Sequence, residues 1–136
     1  FKDRYYGFDD ALYAAVRLLE VLSNRSETLA EFRRKLPKAI NTPEIRIPCS
    51  EERKFQVVSE LKEIVAADGG DASLVDGLRV NTSDGWWLLR ASNTQDVLVA
   101  RAESSSQEGL ESLKDALKSC LRRAGIHTTL EEDGGH

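Results

Sequence analysis

Apolar residues in the first part of the chain recur at steps of three and four, which is the spacing of one face of an α-helix. They predict a helix over residues 8–22, with Asp9 or Asp10 near its start as the N-cap. Leu18 and Val21 widen the apolar face, so this helix is expected to need a covering surface. The residues at the centre of the face are Leu12, Ala15, Val16, Leu19 and Leu22.

A second, shorter helix is predicted over residues 26–36. Ser26 is a suitable N-cap. Thr28 and Glu31 have the spacing of a capping box, in which each side chain bonds the backbone of the other residue. Pro37 ends this helix, because proline has no backbone N–H and cannot continue the hydrogen-bond ladder.

Beyond residue 43 the pattern changes to a mixture of strands and helices. Residues 44–48 alternate between polar and apolar side chains, as a half-buried strand does. Ser50 is the predicted N-cap of a helix that ends at the two glycines after Asp68. The apolar face of this helix is expected to consist of Phe55, Val58, Leu61 and Val65.

Three further strands and one helix complete the pattern. The strands are predicted over residues 78–80, 86–90 and 97–102. Ser105 and Glu108 have capping-box spacing and open a helix. Its apolar face consists of Leu110, Leu113, Leu117 and Leu121. The order β-α-β-β-β-α predicts an α+β fold, an antiparallel sheet of about four strands with two helices packed on one face.

The segment of residues 37–43 carries two of the three prolines and is typical of a linker. We therefore place a boundary there, between a first unit of residues 1–37 and a second unit of residues 38–125. The remaining residues, 126–136, are polar and rich in glycine, and they are expected to form a disordered tail.

Composition narrows the possible function classes. Acidic residues outnumber basic ones by 23 to 19, and the net charge of −4 argues against binding nucleic acid. No apolar run approaches the roughly 20 residues needed to cross a bilayer, so no membrane contact is expected. Cys49 and Cys120 lack the spacing of a metal site, so we expect a reduced, cytoplasmic setting and no metal bound by this chain. The absence of methionine indicates a piece of a longer protein.

The segment best suited to bind a ligand is Arg90-Ala91-Ser92-Asn93-Thr94-Gln95, between two predicted strands. A guanidinium group binds two oxygens of a phosphate at once. The side chains of Ser92, Asn93 and Thr94 add donors, and a turn that aligns its backbone N–H groups would form an anion-binding nest. The same residue types also occur in ordinary hairpin loops, so from the residues alone both interpretations stay open.

Several short motifs, taken in order along the chain, are characteristic of one protein family. The most specific are Asp76-Gly77-Leu78-Arg79-Val80, Gly85-Trp86 and Arg90-Ala91-Ser92-Asn93-Thr94. The others are Phe1-Lys2-Asp3-Arg4-Tyr5-Tyr6-Gly7-Phe8-Asp9-Asp10, Arg17-Leu18-Leu19-Glu20, Thr42-Pro43-Glu44-Ile45 and Val97-Leu98-Val99. In order and spacing, up to about Gly125, the chain resembles the C-terminal part of the bacterial phosphomannomutase/phosphoglucomutase family, in the α-D-phosphohexomutase superfamily.

The resemblance implies an isomerase that interconverts hexose 1-phosphates and 6-phosphates of mannose or glucose through a bisphosphorylated sugar. Enzymes of this family have four domains. A phosphoserine in the first transfers the phosphoryl group, and an acidic loop in the second holds Mg²⁺. The third recognises the sugar, and the fourth binds the phosphate that is not reacting and closes the cleft. On this template residues 1–37 resemble the end of the third domain with the hinge, and residues 38–125 the fourth.

The resemblance also implies roles for individual residues. Arg90, Ser92, Asn93 and Thr94 match the phosphate-binding loop of the family one by one, and Gln95 is a candidate for a further donor. A second threonine followed by proline is common after this motif, whereas this chain has Gln95-Asp96. The Asp96 carboxylate would repel a nearby phosphate and lacks the rigidity of proline, so this departure bears on both the stiffness of the loop and its affinity for phosphate.

The family's catalytic motifs are not found in this sequence, which has no Ser-His pair in a phosphoserine context and no Asp-x-Asp-x-Asp loop. We therefore expect the chain alone to be inactive, with Mg²⁺ bound elsewhere in the full-length enzyme. The expected partners are a phosphosugar and the other domains of the same polypeptide. Two alternatives stay open: the same domain of a phosphoglucosamine mutase, and a stand-alone α+β interaction module. The apolar helix over residues 8–22 argues against the second.

Overall fold

The computed structural model describes residues 1–130, and the chain divides into two compact units, residues 1–37 and the residues from Lys38 onward. The first unit contains helix α1 (Ala11–Ser23). This helix begins three residues later than predicted because Asp10 is its N-cap. The Asp10 carboxylate accepts hydrogen bonds from the Tyr13 backbone N–H and the Tyr5 hydroxyl, both at 2.9 Å. These bonds, the first above all, hold the pKa of Asp10 below its usual range.

The second helix of this unit is α2 (Leu29–Lys35), which starts later than the predicted residue 26. Thr28, not Ser26, is the N-cap. The Thr28 hydroxyl accepts from the Glu31 backbone N–H at 3.3 Å, and the Glu31 carboxylate accepts from the Thr28 backbone N–H at 2.7 Å. The predicted capping box is therefore present, and it sets the first residue of the helix.

The second unit is one antiparallel sheet with two helices. Its strands are β1 (Ile40–Asn41), β2 (Ile45–Pro48), β3 (Asp71–Ser73), β4 (Leu78–Thr82), β5 (Gly85–Ala91) and β6 (Val97–Ser104). Its helices are α3 (Glu51–Ala67) and α4 (Gln107–Arg123). The strands lie in the order β1-β6-β5-β4-β3, and β2 also pairs with β6. The predicted α+β fold is confirmed.

Both helices cover the same face of the sheet, and the core lies between these two layers. Residues that pair across neighbouring strands share the buried face of the sheet. In one such row, Leu78 pairs with Leu89, Leu89 with Ala100, and Ala100 with Ile45. All four side chains point toward the helices and are at most 2% exposed. Because side chains alternate along a strand, the residues between them form a second face that α3 and α4 leave open.

Strands β1 and β3 add to the four strands that the sequence predicted. They span two and three residues, which is too short for an alternating pattern to be recognised. The Asn41-Thr42 segment was expected to be linker. Instead the Thr42 backbone N–H donates to the Ala102 carbonyl at 2.9 Å, and the Thr42 hydroxyl accepts from the Ala102 N–H at 3.1 Å. The Thr42 side chain thus continues the ladder between β1 and β2.

Two helix predictions need correction. In α3 the buried positions are Lys54, Val57, Leu61 and Val65, whereas Phe55 is 52% exposed. The buried positions follow steps of three and four. In the first half of α3 the buried face is therefore shifted by about one residue from the predicted apolar face. In α4 the N-cap is Ser106, whose hydroxyl accepts from the Gly109 N–H at 3.0 Å, and not Ser105.

The end of the chain was expected to be disordered from residue 126. Ile126 packs against the core, and Leu130 is only 2% exposed. Residues 131–136 lie outside the part that the structure describes. Within residues 1–130, none of the helices has the length and apolar character needed to cross a bilayer.

Candidate functional site

The candidate site is the loop of residues 92–96, which we call the anion loop, together with Arg90 in the strand before it. The loop joins β5 to β6 at the end of a seven-residue strand. Leu89 and Ala91 point toward the core, so the alternation of the strand places Arg90 on the open face of the sheet. Arg90 is partly exposed there.

Four hydrogen bonds hold the base of the anion loop. The Ser92 N–H donates to the Val97 carbonyl at 3.0 Å, and the Val97 N–H donates to the Gln95 carbonyl at 2.8 Å. The other two come from Cys49, between β2 and α3, and from Lys54 in the first turn of α3. The Cys49 N–H donates to the Asp96 carbonyl at 3.0 Å, and the Lys54 Nζ donates to the Gln95 carbonyl at 3.1 Å. The carbonyls of Gln95 and Asp96 are therefore directed inward.

The outer side of the loop carries donors. Ser92 is 9% exposed, and its hydroxyl accepts from the Thr94 N–H at 3.4 Å. Asn93, Thr94 and Gln95 are exposed. Among residues 1–130, no protein acceptor is bonded to the backbone N–H groups of Asn93, Gln95 and Asp96. Free N–H groups in a tight loop are what an anion-binding nest offers.

Arg90 shares the open face with three further arginines, and we call this group of four the arginine face. It consists of Arg46, Arg79, Arg90 and Arg101. Val99 lies between Arg46 and Arg90, and Leu88 lies between Arg79 and Arg101. Val99 and Leu88 thus form an apolar floor between the arginines of this face.

The four arginines differ in their partners. Arg46 forms an ion pair with Glu44 at 3.1 Å, and the Arg79 guanidinium stacks on the Trp86 ring at 4.3 Å from its centre. In the described part of the chain, Arg90 and Arg101 have no carboxylate within ion-pair distance. Each of the four strands carries one of these arginines, and only the register of the strands brings the four together.

Neither the two cysteines nor a metal-binding cluster adds reactive groups to the anion loop within residues 1–130. Burial raises the pKa of both the Cys49 and Cys120 thiols, so neither is an activated nucleophile. Residues 1–130 contain no group of three histidine, cysteine or acidic side chains placed to hold a metal ion. The structure brings the predicted residues Arg90, Ser92, Asn93, Thr94 and Gln95 together at the end of β5 and in the loop that follows it.

Comparison with known proteins identifies the family. The family model described as "Phosphoglucomutase/phosphomannomutase, C-terminal domain" matches residues 44–119, which is more than half of the chain. The chain belongs to the phosphoglucomutase/phosphomannomutase family. The matched residues run from β2 into α4 and include the whole anion loop, so the resemblance drawn from the motifs is confirmed.

Relatives in this family extend the match beyond the C-terminal domain. A phosphomannomutase/phosphoglucomutase of Pseudomonas putida is 44% identical over 124 residues, covering 90% of this chain and 26% of the relative. A phosphoglucomutase of Neisseria meningitidis is 42% identical over 123 residues, covering 89% of this chain and 26% of the relative. The chain therefore spans about a quarter of the length of these relatives.

A solved structure agrees with the family assignment. The crystal structure of a phosphoglucomutase/phosphomannomutase family protein from Burkholderia thailandensis matches with a TM-score of 0.75 and 37% identity. The match covers 92% of this chain and 26% of that one. This chain therefore has the same fold as the matching part of that protein.

Proposed function

We propose that this chain is the phosphate-binding part of a phosphohexomutase that interconverts the 1-phosphate and 6-phosphate of mannose or glucose through a bisphosphorylated intermediate. In this proposal Arg90, Ser92, Asn93 and Thr94, with Gln95 as a further donor, bind the phosphate that is not reacting. Residues 38–125 act as the domain that closes over the substrate, and residues 1–37 contribute the end of the preceding domain and the hinge.

The main support for this proposal is that Arg90 lies beside a loop whose Asn93, Gln95 and Asp96 N–H groups have no acceptor among residues 1–130. The Arg90 guanidinium has no carboxylate partner among the described residues, so it is available for an anion. Arg101, which also has no such partner, adds positive potential on the same face. Binding energy from a non-reacting phosphate can position the reacting one, which is why a mutase benefits from such a site.

Helix α1 supports the assignment of residues 1–37 to a larger domain. Leu12, Val16 and Leu19 are 81%, 61% and 65% exposed. Apolar side chains repeated along one helix face are normally covered, so we infer that the preceding part of the polypeptide packs on them. This exposed face argues against a stand-alone interaction module.

The remaining parts of the reaction are proposed for residues outside this chain. The described residues offer no site for a metal, so Mg²⁺ and the phosphoserine belong to the other domains in our proposal. The chain alone is therefore expected to show no mutase activity in a coupled assay for glucose 6-phosphate. We also propose a cytoplasmic location for the full-length enzyme, as for an enzyme of sugar phosphate metabolism.

A phosphoglucosamine mutase is the second candidate. A probable phosphoglucosamine mutase of Methanococcoides burtonii is 31% identical over 117 residues, against 44% for the Pseudomonas putida relative. The higher identity favours mannose and glucose phosphates. Because the proposed site binds phosphate and not the sugar, the anion loop itself serves either substrate.

The proposal is tested by an NMR titration of the chain with glucose 1-phosphate, with inorganic phosphate and glucose as reference ligands. We expect saturable shifts of the Ser92, Asn93 and Thr94 amides with both phosphates and none with glucose. Arg90→Ala is expected to weaken phosphate binding at least about tenfold, as the loss of charge-assisted hydrogen bonds would. Arg122→Ala is the matched control, because it removes the same charge from an exposed position at the end of α4.

Two results would contradict the proposal. Equal weakening by Arg90→Ala and Arg122→Ala would mean that only the total charge attracts the anion. Shifts that saturate elsewhere on the second unit, with the anion loop unaffected, would place the phosphate at another site.

A further inference from the structure

Lys54, in the first turn of α3, is fully buried although it carries a charge. Its Nζ donates to the Gln95 carbonyl at 3.1 Å, forms an ion pair with the Glu51 carboxylate, and lies 5.2 Å from the centre of the Phe55 ring. An ammonium group leaves water only where such partners replace its hydration. The Gln95 carbonyl of the anion loop is one of these partners.

The ion pair with Glu51 does not by itself explain this burial. The two residues are three positions apart on one helix, a spacing at which exposed side chains can meet. The Glu51 side chain is 63% exposed, whereas that of Lys54 is 0% exposed. The lysine side chain has therefore turned inward, and the Gln95 carbonyl is the partner that lies on that side.

The contact with Gln95 determines how one peptide group of the loop is oriented. The described residues contain no cis peptide bond, so the Gln95 carbonyl and the Asp96 N–H point in opposite directions. Lys54 holds the carbonyl toward α3, which turns the Asp96 N–H away from α3, to the outer side of the loop. That N–H has no acceptor among residues 1–130.

We propose that Lys54 is a positioning residue for the anion loop. This proposal rests on the phosphate-binding function proposed above. Lys54 does not contact the phosphate, because its side chain is completely buried. It acts through the Gln95–Asp96 peptide, whose orientation makes the Asp96 N–H one of the donors of the nest. The Val97 N–H, which donates to the same carbonyl at 2.8 Å, supports this orientation from the strand side.

The test compares Lys54→Met, which keeps an apolar stem of similar length without a donor, with Lys54→Arg, which keeps the charge. Glu51→Gln is the matched control, because it removes the ion-pair partner and leaves the bond to Gln95. In the unliganded chain we expect Lys54→Met to shift the Asp96 amide and to lower the order parameters of the loop amides. Inorganic phosphate should then bind about tenfold more weakly, with partial recovery in Lys54→Arg and near wild-type binding in Glu51→Gln.

A second measurement does not depend on the folding of any variant. In the wild-type chain the Lys54 ammonium should give a ¹⁵Nζ signal protected from solvent exchange, with a coupling through the hydrogen bond to the Gln95 carbonyl carbon. An unprotected Lys54 signal, or a folded Lys54→Met variant with unchanged loop amides and unchanged phosphate affinity, would overturn the proposal. If the wild-type chain does not bind phosphate, the proposed function fails, while the loop order still reports whether Lys54 positions the loop.

Discussion

The backbone of Gly77 lies directly against Arg90. A Cβ atom built on Gly77 would come within 2.6 Å of the Arg90 Cβ and within 2.6 Å of the Leu89 carbonyl oxygen. Gly77 also has a φ of +78°, in the left-handed region that favours glycine. The glycine of the Asp76-Gly77-Leu78-Arg79-Val80 motif thus allows the loop before β4 to pack on the strand that presents Arg90.

Gly77→Ala is expected to destabilise the second unit by about 3 kcal/mol, because it combines a strained φ with overpacking. It should also weaken phosphate binding by moving Arg90. Urea unfolding and the phosphate titration measure the two effects.

Gly69→Ala is the control for this substitution. Gly69 has a similar φ of +72°, but a Cβ there would meet nothing within 4 Å. Gly69→Ala should lower the free energy of unfolding by only about 1 kcal/mol, because it introduces the strained φ without overpacking. Equal losses in the two variants would show that the contact with Arg90 has no energetic consequence.

The Asp96 carboxylate is exposed at the end of the anion loop. Its negative charge is expected to repel a bound phosphate and so to weaken phosphate binding. Asp96→Asn should tighten the binding of inorganic phosphate by about twofold at low salt, and the gain should shrink as the ionic strength rises. Glu63→Gln, on an exposed position of α3, removes the same charge and should leave the affinity unchanged. A gain that persists at high salt would point to a change of loop structure instead.

The core of the second unit includes Val57 and not Phe55. Val57 is 0% exposed, and Phe55 is 52% exposed. Val57→Ala should lower the free energy of unfolding by about 2 kcal/mol, since it removes two buried methyl groups and leaves a cavity. Phe55→Ala should cost less than about 1 kcal/mol. Chemical denaturation of the two variants measures both values, and the reverse order would mean that α3 packs with the face first predicted.

The stability of the second unit should depend on pH through Glu60. The Arg53 guanidinium donates to both Glu60 oxygens at 2.8 and 2.7 Å, and these bonds hold the pKa of Glu60 below its usual value of 4.5. A carboxylate with a lowered pKa stabilises the folded state above its unfolded pKa, and the effect is lost as the pH falls through the folded pKa.

Glu60→Gln should therefore lower the Tm slightly at pH 7 and have a smaller effect at pH 3. Both side chains are about one third exposed, which keeps the difference small. Glu63→Gln is again the control. A Tm difference that stays constant between the two pH values would exclude an electrostatic origin.

The sequence by itself determined the elements with long, regular patterns. The four leucines of α4 repeat over three turns, and all of them are buried, because only one face of a long helix can meet the sheet. The sequence also predicted the turn after Arg90, which the structure places between β5 and β6. The family resemblance depended on the same short motifs, and it is confirmed.

Only the tertiary structure decided which residues support that site. Lys54 and Gln95 are 41 positions apart, and their contact depends on the packing of α3 beside the end of β5. The arginine face depends on the register of four strands, which local patterns do not encode. A pattern along the chain reports which side of an element is apolar, whereas a buried ammonium is stabilised by partners that only the folded chain brings to it.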